Sequence, residues 1–587
     1  MSDTQRLFDV VEHQLAHFPA DECIATKEGG GWKAYSTREL IDTAELLALG
    51  LMAMGIGPGD KVAMASGNRN EWCIVDQAVL RIGAISVPIY PTSSVEDYAY
   101  VLHHSGSKVF FVSNADILAK ANAAHGQVPS LQEIFTFDRI PGVRQWSDLL
   151  ADATADRAQL ERCKAQVKPG DLATLIYTSG TTGKPKGVML THANILSNVE
   201  ASVLRLPVQH GARTVSFLPL CHVYERMLMY LYLRTGMRIR FLETLDDLGA
   251  RIKEAQPEVF TAVPRLLEKI YDAILAKGEQ LTGIKRKLFF WSLSLGERYE
   301  VKGRGPWYDL QLATARKLMF SKWREALGGH VRCVASGSAA LQPRLARIFN
   351  AAGVPLMEGY GLTETSPVVS VNDARNDGLR FGTVGRPLEN VQVRIAADGE
   401  ILVKGPNVMI GYFNEPALTN EVLDPDGWFH TGDIGELDNE GFLRITDRKK
   451  EIFKTSGGKY VAPQVIENLL KESRFIEQVM VIGENRKFPA ALVVPSFSFL
   501  KDYCALKNIP FTSNEQIVAE PRIASRIMQE VDRFNAGLGH WEQVKKIALL
   551  PHEWTIDGGE LTPSLKLRRK PILAKYAIQV EGIYGGA

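Results

Sequence analysis

The chain has 587 residues, of which 45% are hydrophobic and 23% charged, with 68 Lys and Arg against 67 Asp and Glu. This balance is typical of a globular protein and excludes collagen-like, disordered and disulfide-rich classes. A net charge of +1 gives no global field that favours nucleic acid, so any anion site must be local. The six cysteines form no metal-ligand or disulfide pattern, and we expect a reducing, cytoplasmic environment.

Short apolar runs rich in β-branched residues alternate with amphipathic stretches through the first part of the chain. They are VAMAS (62–66), ISVPIY (85–90), KVFFVS (108–113), LATLIYT (172–178), RTVSFLPL (213–220) and VRCVASGS (331–338). This alternation predicts an α/β fold with several sheets in a large N-terminal domain. Residues 265–276 place Leu267 and Tyr271 at helical spacing and predict a helix with one buried face. Neither a signal peptide nor a membrane-spanning run is apparent.

The pattern changes towards the C-terminus. Short strands broken by turn residues predict a β-rich subdomain over about 385–446. The charged cluster at 447–451 follows, and we place a domain boundary there, with an N-terminal domain at 1–446, a hinge at about 447–452, and a smaller α+β domain at 447–587. The alternative, that the charge run is only a solvated turn, stays open at this stage.

The strongest local signal is the run YTSGTTGKPKG at 177–187, directly after an apolar strand. Its glycines let backbone amides approach an anion, its hydroxyls can donate to phosphate oxygens, and its lysines supply charge, so it predicts a triphosphate-binding loop. It is not a Walker loop, because Pro185 stands where that pattern requires glycine. The alternative is a surface turn of small residues. The candidate phosphate-binding residues are Thr178, Ser179, Gly180, Thr181, Thr182, Gly183, Lys184 and Lys186.

This loop resembles the phosphate-binding signature of the acyl-adenylate-forming superfamily, and further motifs follow in that family's order over about residues 170–570. They are SGSAAL (336–341), GYGLTE (359–364), GTVGRP (382–387), WFHTGD (428–433), DRKK (447–450) and KLRR (566–569). The resemblance implies an α/β N-terminal domain that adenylates an acid with ATP, and a mobile C-terminal domain. It also implies Mg²⁺, and CoA as a co-substrate.

The resemblance assigns roles to individual residues of these motifs. Tyr360 offers a flat ring on which adenine can stack. Thr363 can donate to the α-phosphate, and Glu364, with Thr178, is a hard-oxygen ligand for Mg²⁺. Asp433 can accept from both ribose hydroxyls, and Arg448 reinforces ribose binding. The other residues expected to bind the nucleotide are Gly337, Ser338, Ala339, Glu358, Gly359 and Gly361.

Near the C-terminus, Lys566 matches the family's lysine that contacts the substrate carboxylate and the α-phosphate, although residues 561–565 depart from the usual serine-glycine context. A fixed cation suits a transition state in which negative charge accumulates. Lys450 matches the pivot about which the small domain of relatives rotates. Gly457, Gly458 and Lys459 match the loop beside the CoA channel; a plain turn is the alternative.

The segment PLCHVYER at 219–226 resembles the long-chain acyl-CoA synthetase branch and places His222 near the acyl site as a candidate catalytic residue. We therefore expect a long-chain fatty acid–CoA ligase. Two alternatives stay open: an acyl-AMP ligase that transfers to a carrier protein, and a nucleotide-binding regulatory protein without catalysis. Chain length, pathway and oligomeric state, monomer or homodimer, do not follow from the sequence.

Residues 277–325 carry 11 Lys or Arg against 5 Asp or Glu and include LFFW directly after KRK. Basic residues beside aromatic ones are compatible with peripheral contact to an anionic membrane, which would suit capture of a lipid-dissolved acid. The interpretation we favour is that residues 289–295 form the buried face of a helix.

Overall fold

The computed structural model describes residues 4–151, 156–178, 184–207, 209–244, 246–375, 377–556, 558–562 and 566–585. Helices and strands alternate through most of them, which confirms the expected α/β class. The helices are α1 (Asp9–His17), α2 (Thr37–Ala53), α3 (Asn70–Arg81), α4 (Val95–Ser105), α5 (Ala115–His125), α6 (Asp148–Ala151), α7 (Arg157–Gln166), α8 (His192–Val203), α9 (Val223–Arg234), α10 (Leu248–Ala255), α11 (Pro264–Glu279), α12 (Gly283–Glu297), α13 (Pro306–Ala315), α14 (Ser321–Ala326), α15 (Pro343–Ala351), α16 (Pro416–Val422), α17 (Pro463–Leu470), α18 (Phe497–Lys507), α19 (Asn514–Val518), α20 (Pro521–Asn535), α21 (Arg569–Lys575) and α22 (Ala577–Tyr584).

A π-helical turn, Arg316–Phe320, joins α13 to α14, and a 3₁₀ turn, Thr363–Thr365, follows the thirteenth strand. The strands are β1 (Ile24–Glu28), β2 (Gly31–Tyr35), β3 (Lys61–Ala65), β4 (Ile85–Ile89), β5 (Ser107–Val112), β6 (Glu133–Thr136), β7 (Leu172–Thr178), β8 (Lys186–Thr191), β9 (Arg213–Ser216), β10 (Arg238–Phe241), β11 (Val259–Ala262), β12 (Cys333–Ser336), β13 (Leu356–Gly361), β14 (Val368–Val371), β15 (Arg386–Pro387), β16 (Gln392–Ile395), β17 (Glu400–Lys404), β18 (Gly411–Tyr412), β19 (Phe429–Leu437), β20 (Leu443–Arg448), β21 (Phe453–Lys454), β22 (Tyr460–Val461), β23 (Ile476–Ile482), β24 (Ala490–Pro495) and β25 (Lys546–Leu549).

The described residues form two compact units. Unit 1 is Met1–Arg394, Leu402–His430 and Asp438–Leu443, and unit 2 is Ile395–Ile401, Thr431–Leu437 and Arg444–Ala587. A further sheet has four strands, ordered β16-β17-β19-β20. The domain boundary at 447 and the hinge at 447–452 stay predictions.

Unit 1 contains two large sheets. In the nine-stranded sheet, ordered β15-β14-β13-β12-β11-β9-β10-β1-β2, the strands from β13 to β1 are parallel and the edge strands are antiparallel. The seven-stranded sheet is ordered β18-β8-β7-β4-β3-β5-β6, with antiparallel β18, β8 and β7 at one side. Parallel strands buried on both faces explain the continuous apolar runs in the sequence.

Unit 2 is built on a three-stranded sheet, ordered β23-β24-β25, and a hairpin of β21 and β22. Strand β24 is buried along its whole length, and helices α17 and α20 turn their apolar residues to the same core. This mixture of strands and helices agrees with the α+β character expected for the C-terminal part.

Two helices of unit 1 test predictions made from periodicity. Helix α11 buries Leu267 and Tyr271, as the spacing predicts. Helix α12 buries Phe289, Leu293 and Leu295, which confirms the interpretation of that run as a buried helix face. Across the described residues, no helix has both the length and the apolar character needed to cross a bilayer.

Candidate functional site

The phosphate-loop motif lies on an antiparallel hairpin of the seven-stranded sheet. Its two arms are β7, which ends at Thr178, and β8, which begins at Lys186, and these two residues face each other in the ladder. Lys184 Nζ lies 5.3 Å from the centre of the Tyr100 ring, and Lys186 Nζ lies 4.9 Å from that of Tyr412. Ser179, Gly180, Thr181, Thr182 and Gly183 lie outside the described residues.

The arms of this hairpin are fixed from both sides. Strand β18 pairs with β8, and the amide of Phe413 donates to the carbonyl of Gly187 at 2.8 Å. At the end of β8, the hydroxyl of Thr191 accepts from the amide of Asn194, and the Asn194 side chain accepts from the Thr191 amide. This reciprocal cap starts α8 directly after the strand. The residues at the mouth of the loop therefore have a rigid support.

Glu364 lies in the 3₁₀ turn beyond β13, beside the same hairpin. Its Oε1 atom accepts a hydrogen bond of 2.9 Å from the hydroxyl of Tyr412, and its carbonyl accepts from the amide of Met409 at 2.8 Å. Tyr412 thus contacts both Glu364 and Lys186, and the structure brings these two predicted residues to one place.

The turn that presents Thr363 and Glu364 depends on Gly361. A Cβ atom at this position would lie 1.8 Å from the carbonyl oxygen of Pro367, so no larger residue fits. The hydroxyl of Thr365 accepts from the Leu362 amide and donates to the Pro367 carbonyl at 2.6 Å. Thr363 and Glu364 are half-buried in this arrangement.

The predicted adenine wall lies at the carboxyl ends of β12 and β13, which are parallel neighbours. Gly337, Ser338 and Ala339 follow β12, and Ser338 has a left-handed φ of 70°. Glu358, on β13, accepts a 2.9 Å hydrogen bond from the amide of Leu341. Glu358 is 8% exposed, and burial raises the pKa of its carboxyl to about 8. The two motifs are thereby joined by a carboxyl whose burial opposes its ionisation.

The other residues of this wall occupy the outer end of β13. Tyr360 is half-buried and lies opposite Ser370 of β14. At Gly359, a Cβ atom would approach the carbonyl oxygen of Ser370 to 3.3 Å. The strand end is thus tightly packed against β14, with the Tyr360 ring partly accessible.

His222 caps the N-terminus of α9. Its Nδ1 atom accepts from the amide of Tyr224 at 3.2 Å, and the Tyr224 ring packs 3.3 Å from the position of a Cβ atom at Gly337. Helix α9 is fixed in the core by an ion pair of 2.6 Å between Arg226 and Asp76, both fully buried. His222 thus lies at one end of a rigid helix that contacts the predicted adenine wall.

The ribose-binding candidates lie in unit 2. The Nε atom of Arg448 lies 3.3 Å from Oδ1 of Asp433, which is 5% exposed. The amide of Asp433 donates to the hydroxyl of Thr431, and that of Gly432 to Oε1 of Glu400. The structure therefore brings Asp433 and Arg448 together on a braced turn.

The remaining candidates of unit 2 are exposed. Lys450 follows β20, and Gly457, Gly458 and Lys459 form the turn between β21 and β22, with Gly458 at a φ of 75°. The amide of Lys566 donates to the hydroxyl of Thr562 at 3.0 Å. The three lysines and the turn of Gly457 and Gly458 are thus accessible to solvent.

The oxygen atoms of Glu364 and Thr178 decide whether these residues suit the predicted magnesium site. Within the part of the chain that the structure describes, no group of three or more His, Cys, Asp or Glu side chains converges as a metal cage. Glu364 and Thr178 offer one carboxylate and one hydroxyl, which are hard oxygen donors. Mg²⁺ is typically bound by one or two carboxylates plus substrate phosphates, so these residues fit it.

Sequence reasoning missed Tyr412, Tyr224 and Glu225. Tyr412 contacts a residue 48 positions away, and Tyr224 packs on a glycine in another motif. Glu225 is fully buried and accepts from the hydroxyl of Thr261 at 2.8 Å, and burial raises the pKa of its carboxyl to about 7. Glu225 lies within the PLCHVYER segment, but only the structure shows that its side chain is buried.

Comparison with known proteins decides the family. Residues 11–413 match the AMP-binding enzyme family, and residues 450–587 match the AMP-binding enzyme C-terminal domain. The chain belongs to the AMP-binding enzyme family. The resemblance inferred from the motifs is thereby confirmed.

This AMP-binding enzyme has full-length relatives. It is 35% identical over 572 residues to "Long-chain-fatty-acid--CoA ligase FadD15" of Mycobacterium tuberculosis, covering 94% of this chain and 93% of the relative. It is 33% identical over 622 residues to "Long-chain-fatty-acid--CoA ligase 5" of Mus musculus, covering 99% and 89%.

Solved structures of AMP-binding enzymes share the fold at lower identity. The adenylation domain of a carboxylate reductase from Mycobacterium chelonae superposes with a TM-score of 0.76 at 23% identity, covering 99% of this chain and 91% of that one. The anthranilate CoA ligase AuaEII, in complex with anthranoyl-AMP, superposes with a TM-score of 0.74 at 17% identity, covering 97% of both chains.

Proposed function

We propose that this AMP-binding enzyme is a long-chain fatty acid–CoA ligase. It converts a fatty acid and ATP to acyl-AMP and pyrophosphate, and then transfers the acyl group to the thiol of CoA with release of AMP. The observation that carries the proposal is the identity of 35% over 94% of the chain to a protein named for this activity.

Residues of several motifs bind the nucleotide. The hydroxyls and lysines of 178–186 bind the phosphates, with Lys184 and Lys186 supplying charge. The small residues 337–339 and the ring of Tyr360 enclose adenine, and Glu358 holds the first of these segments through the Leu341 amide. Asp433 accepts from the ribose hydroxyls, and Arg448 orients the Asp433 carboxylate.

Glu364 and Thr178 hold Mg²⁺ together with the phosphates of ATP. The ion supplies positive charge that offsets the charge of the polyphosphate. Tyr412 orients the Glu364 carboxylate through its 2.9 Å hydrogen bond, and Met409 fixes the backbone of the same residue.

In the first half-reaction, a carboxylate oxygen of the fatty acid attacks the α-phosphorus of ATP, the bond to the bridging oxygen breaks, and pyrophosphate leaves. No proton is transferred, so the enzyme contributes position and charge. Lys566 contacts the carboxylate and the α-phosphate, and Thr363 donates to the α-phosphate. His222 orients the carboxyl end of the acid from the start of α9.

In the second half-reaction, the CoA thiolate attacks the acyl carbonyl carbon and AMP leaves. Lys450 is the hinge residue of the C-terminal domain (447–587). The exposed turn of Gly457, Gly458 and Lys459 binds the pantetheine arm, since residues without side chains allow a narrow ligand to lie against the backbone.

We also propose a cytoplasmic location with peripheral contact to an anionic membrane.

The experiment is pyrophosphate release with ATP and Mg²⁺ across a series of acids from acetate to oleate, each with and without CoA. We expect turnover that peaks with long acyl chains and requires CoA. Acid-dependent adenylate formation that is indifferent to CoA would indicate transfer to a carrier protein instead. No acid-dependent pyrophosphate release would contradict catalysis altogether.

A further inference from the structure

Helix α13 and the π-helical turn after it carry two apolar faces. One face is buried in the core of unit 1 and consists of Leu312, Ala315 and Met319. The other faces solvent and consists of Trp307, Leu310 and Leu318, which are 72%, 59% and 47% exposed. A surface helix of a globular protein ordinarily has one apolar face and one polar face, so the second one requires a separate explanation.

The exposed side chains form one continuous stripe. Trp307, Leu310, Thr314 and Leu318 follow one another at spacings of three, four and four residues, which places them on the same face of a helix. All four are exposed. The exposed apolar residues therefore share one face of the helix, instead of lying singly at unrelated positions on the surface.

The stripe is held in position by α12. The hydroxyl of Tyr308 donates to the carbonyl of Leu295 at 2.7 Å, and the guanidinium of Arg304 donates to the carbonyl of Arg298 at 2.9 Å. These bonds fix the start of α13 and the loop before it against the end of α12. Trp307 is therefore presented to solvent by a rigid hairpin.

The segment that carries the stripe has a net positive charge. Residues 298–322 contain six Lys or Arg against two Asp or Glu, a local net charge of +4 in a chain whose total is +1. One of the two acids, Glu300, is paired with Arg347. Lys302, Arg304 and Lys317 are exposed beside the apolar residues.

We propose that this face binds the surface of an anionic phospholipid bilayer. We define the α13 surface as Val301, Lys302, Arg304, Trp307, Leu310, Lys317 and Leu318. Trp prefers the interface between water and acyl chains, where its ring is apolar and its N–H remains hydrated. Lys and Arg extend along apolar surface and place their charges at the lipid phosphates.

Charge complementarity favours a bilayer over a second copy of this chain. Two copies meeting through the α13 surface would bring like charges together, which opposes association. An anionic bilayer offers phosphate groups to the cations and acyl chains to Trp307 and Leu310 at the same time.

Long-chain fatty acids dissolve in bilayers, and the α13 surface would hold unit 1 at the membrane that contains them. This role of the surface rests on the proposed function, because only an enzyme that uses fatty acids benefits from such a position. The binding itself is independent of catalysis. The two proposals are therefore tested by separate measurements.

The test uses the full-length protein and vesicles of phosphatidylcholine, with and without phosphatidylglycerol. We expect cosedimentation with the anionic vesicles only, weakened by added salt as surface charges are screened. The variant Trp307→Ser/Leu310→Ser should bind at least about tenfold more weakly, since both side chains lose their burial in the bilayer. The variant Lys302→Gln/Arg304→Gln should lose the dependence on phosphatidylglycerol.

The matched control is Leu506→Ser/Ile578→Ser, which removes two exposed apolar side chains of unit 2, and it should bind vesicles like the unaltered protein. Adenylation of a short, water-soluble acid such as octanoate should be the same in all variants. That measurement separates failure of the α13 surface from failure of the ligase activity.

Two outcomes would overturn the proposal. The first is that the unaltered protein does not bind anionic vesicles, or that the Trp307→Ser/Leu310→Ser variant binds them equally well. The second is that sedimentation velocity shows a dimer without vesicles that the same variant converts to monomers, because the surface would then be occupied by a second copy.

Discussion

The hydroxyl of Tyr412 donates a hydrogen bond to Oε1 of Glu364 over 2.9 Å, and the ring of the same tyrosine lies 4.9 Å from Lys186 Nζ. Tyr412 is 6% exposed, and its backbone amide donates to the hydroxyl of Thr419. One buried side chain thus links the proposed magnesium ligand to the phosphate-binding hairpin.

Tyr412→Phe removes the hydroxyl and keeps the ring beside Lys186. We expect adenylation to fall about tenfold, because a hydrogen bond to a charged group contributes about 1.5 kcal/mol. The Mg²⁺ concentration that gives half-maximal adenylation should rise. Tyr460→Phe, at an exposed tyrosine of unit 2, is the control. An unchanged magnesium dependence in Tyr412→Phe would show that its hydroxyl does not orient Glu364.

Lys566→Ala tests the proposed cation at the reacting centre. Removal of one preorganised stabiliser typically lowers the rate by about 10²- to 10³-fold, and we expect adenylation to fall by that amount. Binding of ATP, measured by calorimetry, should stay within about twofold, because the lysine acts mainly in the transition state. Lys545→Ala, at another exposed lysine of unit 2, is the control. Equal single-turnover rates would remove Lys566 from the mechanism.

Local sequence patterns were sufficient for the class of fold and for much of the site's location. The strand LATLIYT is predicted at 172–178 and found at Leu172–Thr178, because a run of apolar and β-branched residues is required for a strand buried on both faces. RTVSFLPL is predicted over eight residues, but only Arg213–Ser216 form a strand. Pro219 cannot donate to a ladder, which explains a shorter strand.

The contacts that fix the site could not be predicted, because they join residues far apart in the chain. Arg226 lies within a motif, but its buried partner Asp76 is 150 positions away. The solvent exposure of a side chain likewise depends on residues that are distant in the sequence. The sequence directed attention to Phe289, which is buried, and not to Trp307, which is exposed. Which aromatic residue faces solvent depends on how α12 and α13 pack.

Glu358→Gln tests the buried carboxyl of the adenine wall. Burial raises the pKa of this group from 4.5 to about 8, so between these pH values the folded protein binds more protons than the unfolded chain. The protonated Glu358 carboxyl therefore makes its full contribution to the free energy of unfolding below pH 4.5. This contribution is lost as the pH rises through 8.

The glutamine variant keeps the shape of the side chain without ionising. We expect its Tm to exceed that of the unaltered protein by about 2 to 6 °C at pH 8.5, with the difference vanishing near pH 5. The KM for ATP should rise above pH 8 in the unaltered protein, because an ionised Glu358 repels the triphosphate, and should stay flat in Glu358→Gln. If Tm and the KM for ATP change with pH in the same way in both proteins, Glu358 does not have this role.

Gly458 and its neighbour Gly457 form a matched pair for the thioester-forming step. Gly458 has a φ of 75°, a left-handed conformation, whereas Gly457 does not, and a Cβ atom at Gly458 would meet no atom within 4 Å. Alanine at 458 is therefore opposed by backbone conformation alone, at a cost of about 1 kcal/mol, and the turn shifts to relieve it.

We expect Gly458→Ala to raise the KM for CoA about fivefold, close to the effect of 1 kcal/mol, and to leave adenylation unchanged. Gly457→Ala should have a smaller effect, since its conformation tolerates a side chain. If both variants bind CoA like the unaltered protein, the turn between β21 and β22 does not contact the pantetheine arm.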